Sequence, residues 1–246
     1  MARIGCKMFA SPGLLTRIFD RNHLVSNTCG HFRFTPLSTY TKGEGRFSDE
    51  DEGKRLRGYR AMAPERVTIP ELGLFNVLIH GNVGADMLIT HRDDVPVACL
   101  SRGDHDVKRS HAIMAQNPDL KQASYVVYDS HKLVLALTNV LAQPEWFYDI
   151  GETGKSGMVG RQVLYEDRMT METLDNQSGR DLQTDDVTRM IWTKPALFHH
   201  EEEYRLALFA TKAARAENQL LTGSIIVEQS RVIAEAIVNF GDVPDP

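Results

Sequence analysis

The stretch Ile191–Thr211, IWTKPALFHHEEEYRLALFAT, decides how the rest of the chain is read. Lys194-Pro195 marks a break, because proline presets its own φ and pushes the preceding residue toward extended geometry. Ala196 to Glu202 then suits a short helix with Pro195 in its first turn. From Tyr204 to Ala210 the residues read as a strand apolar on both faces. Glu201 and Glu203 stand at the mouth of that strand, and Arg205 lies two residues further in. If the segment is extended, all three share one face. Charges entering a buried strand are costly unless they are paired or used. Two readings follow: a structural cluster in which Arg205 pairs with a neighbouring carboxylate and caps the sheet, or a working site.

Working outward, 246 residues suffice for a full hydrophobic core, and 42% hydrophobic with 25% charged residues is ordinary for a globular protein. The formal net charge of −5 argues against nucleic-acid binding driven by overall charge, although a local basic patch stays compatible with it. Cys6, Cys29 and Cys99 are odd in number and widely spaced, which indicates neither a disulfide framework nor a zinc ribbon and fits a reducing cytosol. No apolar run reaches the length of a membrane span. The N-terminal IGC triplet lacks an apolar stretch before it, so a signal peptide is rejected and a cytoplasmic protein is expected.

Cys6–Ala10 suits a first strand. Ser11-Pro12 looks like a helix start, with Leu14, Leu15, Ile18 and Phe19 at helical spacing behind it. Extended structure resumes at His31–Phe34. Leu74–His80, Asp86–Thr90, Val95–Ser101, Ser124–Tyr128 and Gln162–Tyr165 read as strands. Ser130 begins a helix with Leu133, Leu137, Val140 and Leu141 on one face. Ser224–Val227 reads as a strand close to the centre of the sheet. Ser230 then caps a last helix with Val232, Ile233, Ala236, Ile237 and Phe240 inward. Strands outnumber helices without βαβ alternation. The expected fold is a single α+β domain over residues 1–246, with a mixed, largely antiparallel sheet flanked by short helices.

Ser38–Arg60 and Glu172–Asp186 read as mobile polar loops. The first carries Gly43, Gly45, Gly53 and Gly58 and charges that nearly cancel. Such a run is either a solvated surface or a contact loop. In the second case Arg55 and Arg57 supply forked donors and Tyr59 a stacking face. Those three, with Arg205, are the candidate substrate or partner contacts. The phosphate-loop likeness of Gly154-Lys155-Ser156 fails, because Asp149 stands where that frame needs glycine. His199 and Glu203 have a chelating spacing only on a continuous helix, and no metal is expected.

Phe32-Arg33-Phe34-Thr35-Pro36-Leu37, then Tyr40, Glu44-Gly45, Arg46, Asp49 and Glu52-Gly53, form one signature. Val97–Ser101, Gly160–Tyr165, Thr193-Lys194-Pro195 with Phe198, Glu201, Glu203 and Arg205, and Gly223–Ile226 follow it in order. Together they resemble the bacterial and phage "domain of unknown function 2971" group. The Lys…Phe-x-x-Glu-x-Glu-x-Arg pattern is the most specific part. The chain departs from that group in lacking its asparagine-aspartate-proline loop and its tryptophan–tyrosine run. The layout is also similar to a diverged ADP-ribosyltransferase, although no arginine or histidine stands at the expected place on the first strand.

That resemblance implies an ADP-ribosyltransferase-like fold and a phage or mobile-element protein with a transferase-like or glycohydrolase-like site using NAD as substrate. Under it Glu203 is the catalytic carboxylate, Glu201 its upstream partner and Ser101 its support, while Lys7, Arg17 or Arg33 holds the NAD phosphate. The alternative is a non-catalytic binding protein, a phage accessory or anti-defence factor with a structural Glu/Arg cluster. The partner in either case is a protein or nucleotide ligand, without a membrane.

Overall fold

The computed structural model describes residues 13–37, 39, 95–117, 119–141, 158–166, 191–208 and 224–245 with their side chains. Residues 5–8, 54–61, 66–69, 74–78, 86–92, 157, 169–174 and 209 are described by backbone alone. The strands in chain order are β1 (Gly5–Met8), β2 (Leu14–Asp20), β3 (Phe32–Pro36), β4 (Lys54–Ala61), β5 (Arg66–Ile69), β6 (Leu74–Leu78), β7 (Asp86–Arg92) and β8 (Pro96–Arg102). They continue as β9 (Ala123–Asp129), β10 (Gly157–Gln162), β11 (Leu164–Tyr165), β12 (Met169–Leu174), β13 (Thr193–Lys194), β14 (Glu203–Phe209), β15 (Ile225–Val227) and β16 (Ile237–Asp242). The helices are α1 (Leu24–Thr28), α2 (Val107–Ala115), α3 (Ser130–Leu141) and α4 (Arg231–Ala234).

The fold is α+β and its main sheet is almost wholly antiparallel, in the order β1-β10-β14-β8-β2-β9-β16. Only the β1–β10 pair within it is parallel. β14 lies inside the sheet between β10 and β8, where its sequence placed it. Tyr204, Leu206 and Leu208 point into one core cluster with Leu15, Phe32, Phe34, Tyr128, Leu133 and Leu137, covered by α3 and α4. Ala207 points the other way, into a second cluster around Trp192, Ile191, Val97 and Val159. Because successive side chains alternate, Glu203 and Arg205 share the Ala207 face. Both faces are therefore buried, which explains the unbroken apolar run.

One edge of β8 is shared by two partners. β2 pairs with it only at Leu15↔Arg102 and Thr16↔Ser101, whereas β3 pairs with its other end at Thr35↔Val97 and Pro36↔Pro96. Beyond Thr16, β2 leaves β8 and stays with β9 down to Asp20↔Ala123. The sheet is split between β2 and the middle of β8.

Four sequence expectations are corrected. Residues 14–20 are a strand: over six residues the spacing of Leu14, Leu15, Ile18 and Phe19 is met equally by a strand buried on both faces, and both Leu15 and Thr16 are buried. The last helix stops after α4, and Ile237–Asp242 pairs with β9 instead, leaving Phe240 54% exposed. Ser224–Val227 is not near-central; β15 pairs with β3 off the main path. Lys54–Arg60 and Glu172–Leu174, expected as loop, lie on β4 and β12, which join β7 in a small sheet. A dense charge run does not stop a strand whose backbone bonds are satisfied on both edges. Residues 41–53, 142–156 and 175–190 lie outside the described residues.

The entry into β3 is fixed by Gly30, whose φ of +83° is left-handed and whose position leaves no room for a Cβ, since one would fall 2.0 Å from the Ser230 carbonyl oxygen. Gly13, with φ +77°, has open space around it. Gly13→Ala should therefore cost only the left-handed strain, about 1 kcal/mol. Gly30→Ala should cost distinctly more, above about 2 kcal/mol, because backbone must also move. Urea denaturation of the two variants checks the ranking, and equal losses would contradict the close approach of residues 30 and 230.

Candidate functional site

The split in the sheet is a cavity of about 200 Å³. One lip is β2 from Thr16 to Phe19, the other is β8 from Cys99 to Ser101. Ile113 of α2 closes one wall. Lys194 from β13, Glu201 from a 3₁₀ turn (Ala196–Glu201), and Glu203 and Arg205 from β14 supply the charge. The strand register explains the convergence: Thr16, Ser101 and Glu203 are direct neighbours across β2, β8 and β14, and Cys99 faces Arg205.

All four charged groups on the β14 side are nearly inaccessible: Lys194 4%, Glu201 5%, Glu203 3% and Arg205 1% exposed. Lys194 Nζ donates to Glu201 Oε2 at 2.6 Å and to Glu203 Oε2 at 3.1 Å. Arg205 Nε donates to Glu203 Oε1 at 2.5 Å, and its Nη1 donates to the Ile191 carbonyl at 2.6 Å. The Glu203 amide donates to the Tyr165 hydroxyl at 2.7 Å. Glu203 thus has both oxygens engaged by cations.

The two carboxyls are driven apart by this arrangement. Burial alone would raise Glu203, but the Arg205 guanidinium and the Lys194 ammonium outweigh it and hold the group well below the usual carboxylate range. Burial pushes Glu201 the other way, to about 7; Lys194 opposes the rise and the Glu203 charge adds to it. Its Oε1 is buried and has no hydrogen-bond partner among the described residues. Burial, with the nearby Glu203 charge, also raises the Cys99 thiol, so no thiolate nucleophile is offered there.

The local fold that presents Glu201 is tight. Pro195 enters the 3₁₀ turn with φ −56° and ψ 145°, and Glu202 leaves it in the left-handed region at φ 46° and ψ 43°. A residue with a Cβ spends roughly 1–2 kcal/mol there. The Glu202 carbonyl accepts from the Arg102 amide at 2.9 Å, tying the turn to the end of β8. His199 and Glu203 therefore do not share a helix, and their chelating spacing is lost.

Of the residues expected at a site, Glu201, Glu203, Ser101, Arg17 and Arg205 meet at this cavity. Arg17 lies over the Phe32 ring at 5.0 Å from its centroid, and its Nη1 is buried without a partner among the described residues. Arg33 is elsewhere: it is exposed on β3 and donates to Ser224 Oγ at 2.7 Å. Lys7 is on β1 opposite Val159, and Arg55, Arg57 and Tyr59 are on β4; the side chains of these four lie outside the described residues. Sequence reasoning left out Lys194, Tyr165, Cys99 and Thr16 as site residues. Lys194 could have been found, since it stands in the quoted stretch beside the helix-breaking proline. The others are brought in by strand register, which no short-range spacing reveals.

No family model, curated protein or solved structure matches the chain. Among the described residues no helix is long and apolar enough to cross a membrane.

Two outcomes follow from the charge pattern. Glu203→Gln should destabilise by about 3–5 kcal/mol, because it strips a buried arginine and lysine of their counter-charge; chemical denaturation measures it, and a loss below about 1 kcal/mol would contradict the network. Glu201 behaves oppositely. With its carboxyl raised from the ordinary 4.5 to about 7, the folded state holds a proton that the unfolded state has released. Stability contributed by that proton is present below about pH 4.5 and lost as pH rises to about 7. Wild type should therefore lose stability relative to Glu201→Gln across that window, a difference in which the other titrating groups cancel. A pH-independent difference would contradict the burial of this acid.

Proposed function

We propose that the chain is an enzyme of ADP-ribosyltransferase or glycohydrolase type, using NAD as substrate at the split between β2 and β8. The observation that supports it is the juxtaposition, in one cavity, of a carboxyl poised near neutral pH, an ionised carboxylate, the Ser101 hydroxyl and Arg17, with Glu201 Oε1 and Arg17 Nη1 buried and without a partner among the described residues. Groups whose environments push two carboxyls apart are the usual basis of acid–base assignments. The cavity is smaller than the roughly 300–1,000 Å³ that encloses a drug-sized ligand, so it takes one end of a dinucleotide.

The two glutamates divide the work. Glu203 is saturated by Arg205 and Lys194 and serves as the fixed charge that holds the site. Glu201 is the working group. In the reaction the bond from ribose C1′ to the nicotinamide nitrogen breaks, and its electron pair neutralises the pyridinium as nicotinamide leaves. Water, or a nucleophilic atom of a target, forms the new bond at C1′ and passes its proton to the Glu201 carboxylate. Arg17 is the anchor for a phosphate oxygen, a role for which the bidentate fork of arginine is suited.

A second reading has its own observation. Lys194, Glu203 and Arg205 are buried and mutually bonded, the pattern of a structural cluster in a non-catalytic binding protein. Nicotinamide release from NAD by the purified chain separates the two. On the enzyme reading the rate rises with pH through about 7, as Glu201 gains the charge that accepts the proton, and Glu201→Gln lowers it by roughly 10²–10⁴-fold. If no nicotinamide is released, and neither NAD nor ADP-ribose raises the melting temperature, the binding-protein reading stands.

A further inference from the structure

We propose that Arg109 is the positioning residue of this site: by holding Glu202 in its left-handed conformation it keeps Glu201 turned into the cavity. The inference rests on the reading of Glu201 as the working carboxyl. Arg109 sits in the first turn of α2, where its amide is fixed at 2.8 Å by the Asp106 cap. Its guanidinium is fixed in turn by two carbonyls, that of Arg102 at the end of β8, 2.7 Å from Nη1, and that of Asp104 in the loop after it, 2.6 Å from Nη2. The side chain is 8% exposed, whereas Glu202 is 61% exposed. The arginine is thus a preset post on which Glu202 docks, through Nη1 to Oε2 at 2.7 Å.

Glu202 joins the two site carboxyls. Glu203 is locked into β14 by strand pairing, but Glu201 belongs to a short 3₁₀ turn whose exit runs through the strained residue. Strain of this kind persists only where the surroundings enforce it. Without the anchor the turn relaxes toward ordinary backbone, and Glu201 swings away from its neighbours. Those neighbours are Lys194 on β13, Glu203 on β14 and Tyr165 on β11; Arg205 lines the same cavity, and His199 and His200 precede Glu201 on its own turn. The same helix carries Ile113 to the cavity wall, so α2 positions both an apolar wall and the acid.

The test reads the titration midpoint of the Glu201 carboxyl by ¹³C NMR, the resonance being assigned by its loss in Glu201→Gln. Glu202→Ala removes the anchor and leaves every loop bond of Arg109 in place. It should lower the midpoint by about one pH unit or more, as the carboxyl moves toward solvent. Glu202→Gly should leave it near wild type, because glycine occupies the left-handed region without a side-chain tether. Arg109→Met should act like Glu202→Ala, and Arg109→Met with Glu202→Gly should restore the midpoint. Equal midpoints in Glu202→Ala and Glu202→Gly, or no rescue in the double variant, would overturn the proposal. This readout involves no substrate, so its outcome is independent of whether NAD is cleaved.

Discussion

An arginine 1% exposed in the interior of a β-sheet cannot exist alone. Desolvating a guanidinium costs several kcal/mol, and only a carboxylate brought to hydrogen-bond distance offsets it. Arg205 therefore fixes Glu203, two residues earlier on the same face of β14, and the surplus acceptor capacity of Glu203 draws in Lys194. Lys194 in turn requires β13 to lie beside the turn that carries Glu201. One buried cation thus dictates the relation of β13, the 3₁₀ turn and β14. The same network leaves Glu201 buried beside the Glu203 charge: burial is the main cause of its raised carboxyl, the Glu203 charge adds to the rise, and Lys194 opposes it.

The second constraint is the shared edge of β8. A strand has one hydrogen-bonding edge on each side, and β8 gives one side wholly to β14 while dividing the other between β2 and β3. Where neither partner pairs with it, Cys99 and Leu100 of β8 line the cavity with Arg17, Ile18 and Phe19 of β2. That is why a cavity forms at this point, and why its two lips bring residues from opposite faces: Thr16 and Ser101 from the charged face, Arg17 and Leu100 from the face of the larger core.

How much of this was legible follows from the range of the signals. The strand read at Tyr204–Ala210, observed at Glu203–Phe209, was legible because both its faces are buried and Arg205 is the one charge within the stretch that was read. The common face of Glu203 and Arg205 follows from the period of two. What local pattern could not settle was β2, whose apolar spacing satisfies a helix and a two-faced strand alike, and whose strand identity is decided by β8 and β9 on either side. The residues after Ser230 failed for a related reason. Val232, Ile233, Ala236 and Ile237 have helical spacing, yet the free edge of β9 claims Ile237–Asp242. Tertiary pairing overrode periodicity in both cases.

The division between the two glutamates was beyond any spacing argument. In sequence they are equivalent members of an acid-x-acid pair, and an extended reading makes them neighbours with the same environment. The left-handed turn at Glu202 breaks that equivalence. It leaves Glu203 inside the strand ladder, where two cations converge on it, and sets Glu201 outside the ladder, where one lysine reaches one of its oxygens. A single backbone conformation therefore converts two chemically identical side chains into a permanent anion and a group that titrates near neutrality. A protein needing only a counter-charge for Arg205 is served by Glu203 alone. The strained turn adds a second buried acid, with one oxygen that has no partner among the described residues, at the wall of the cavity.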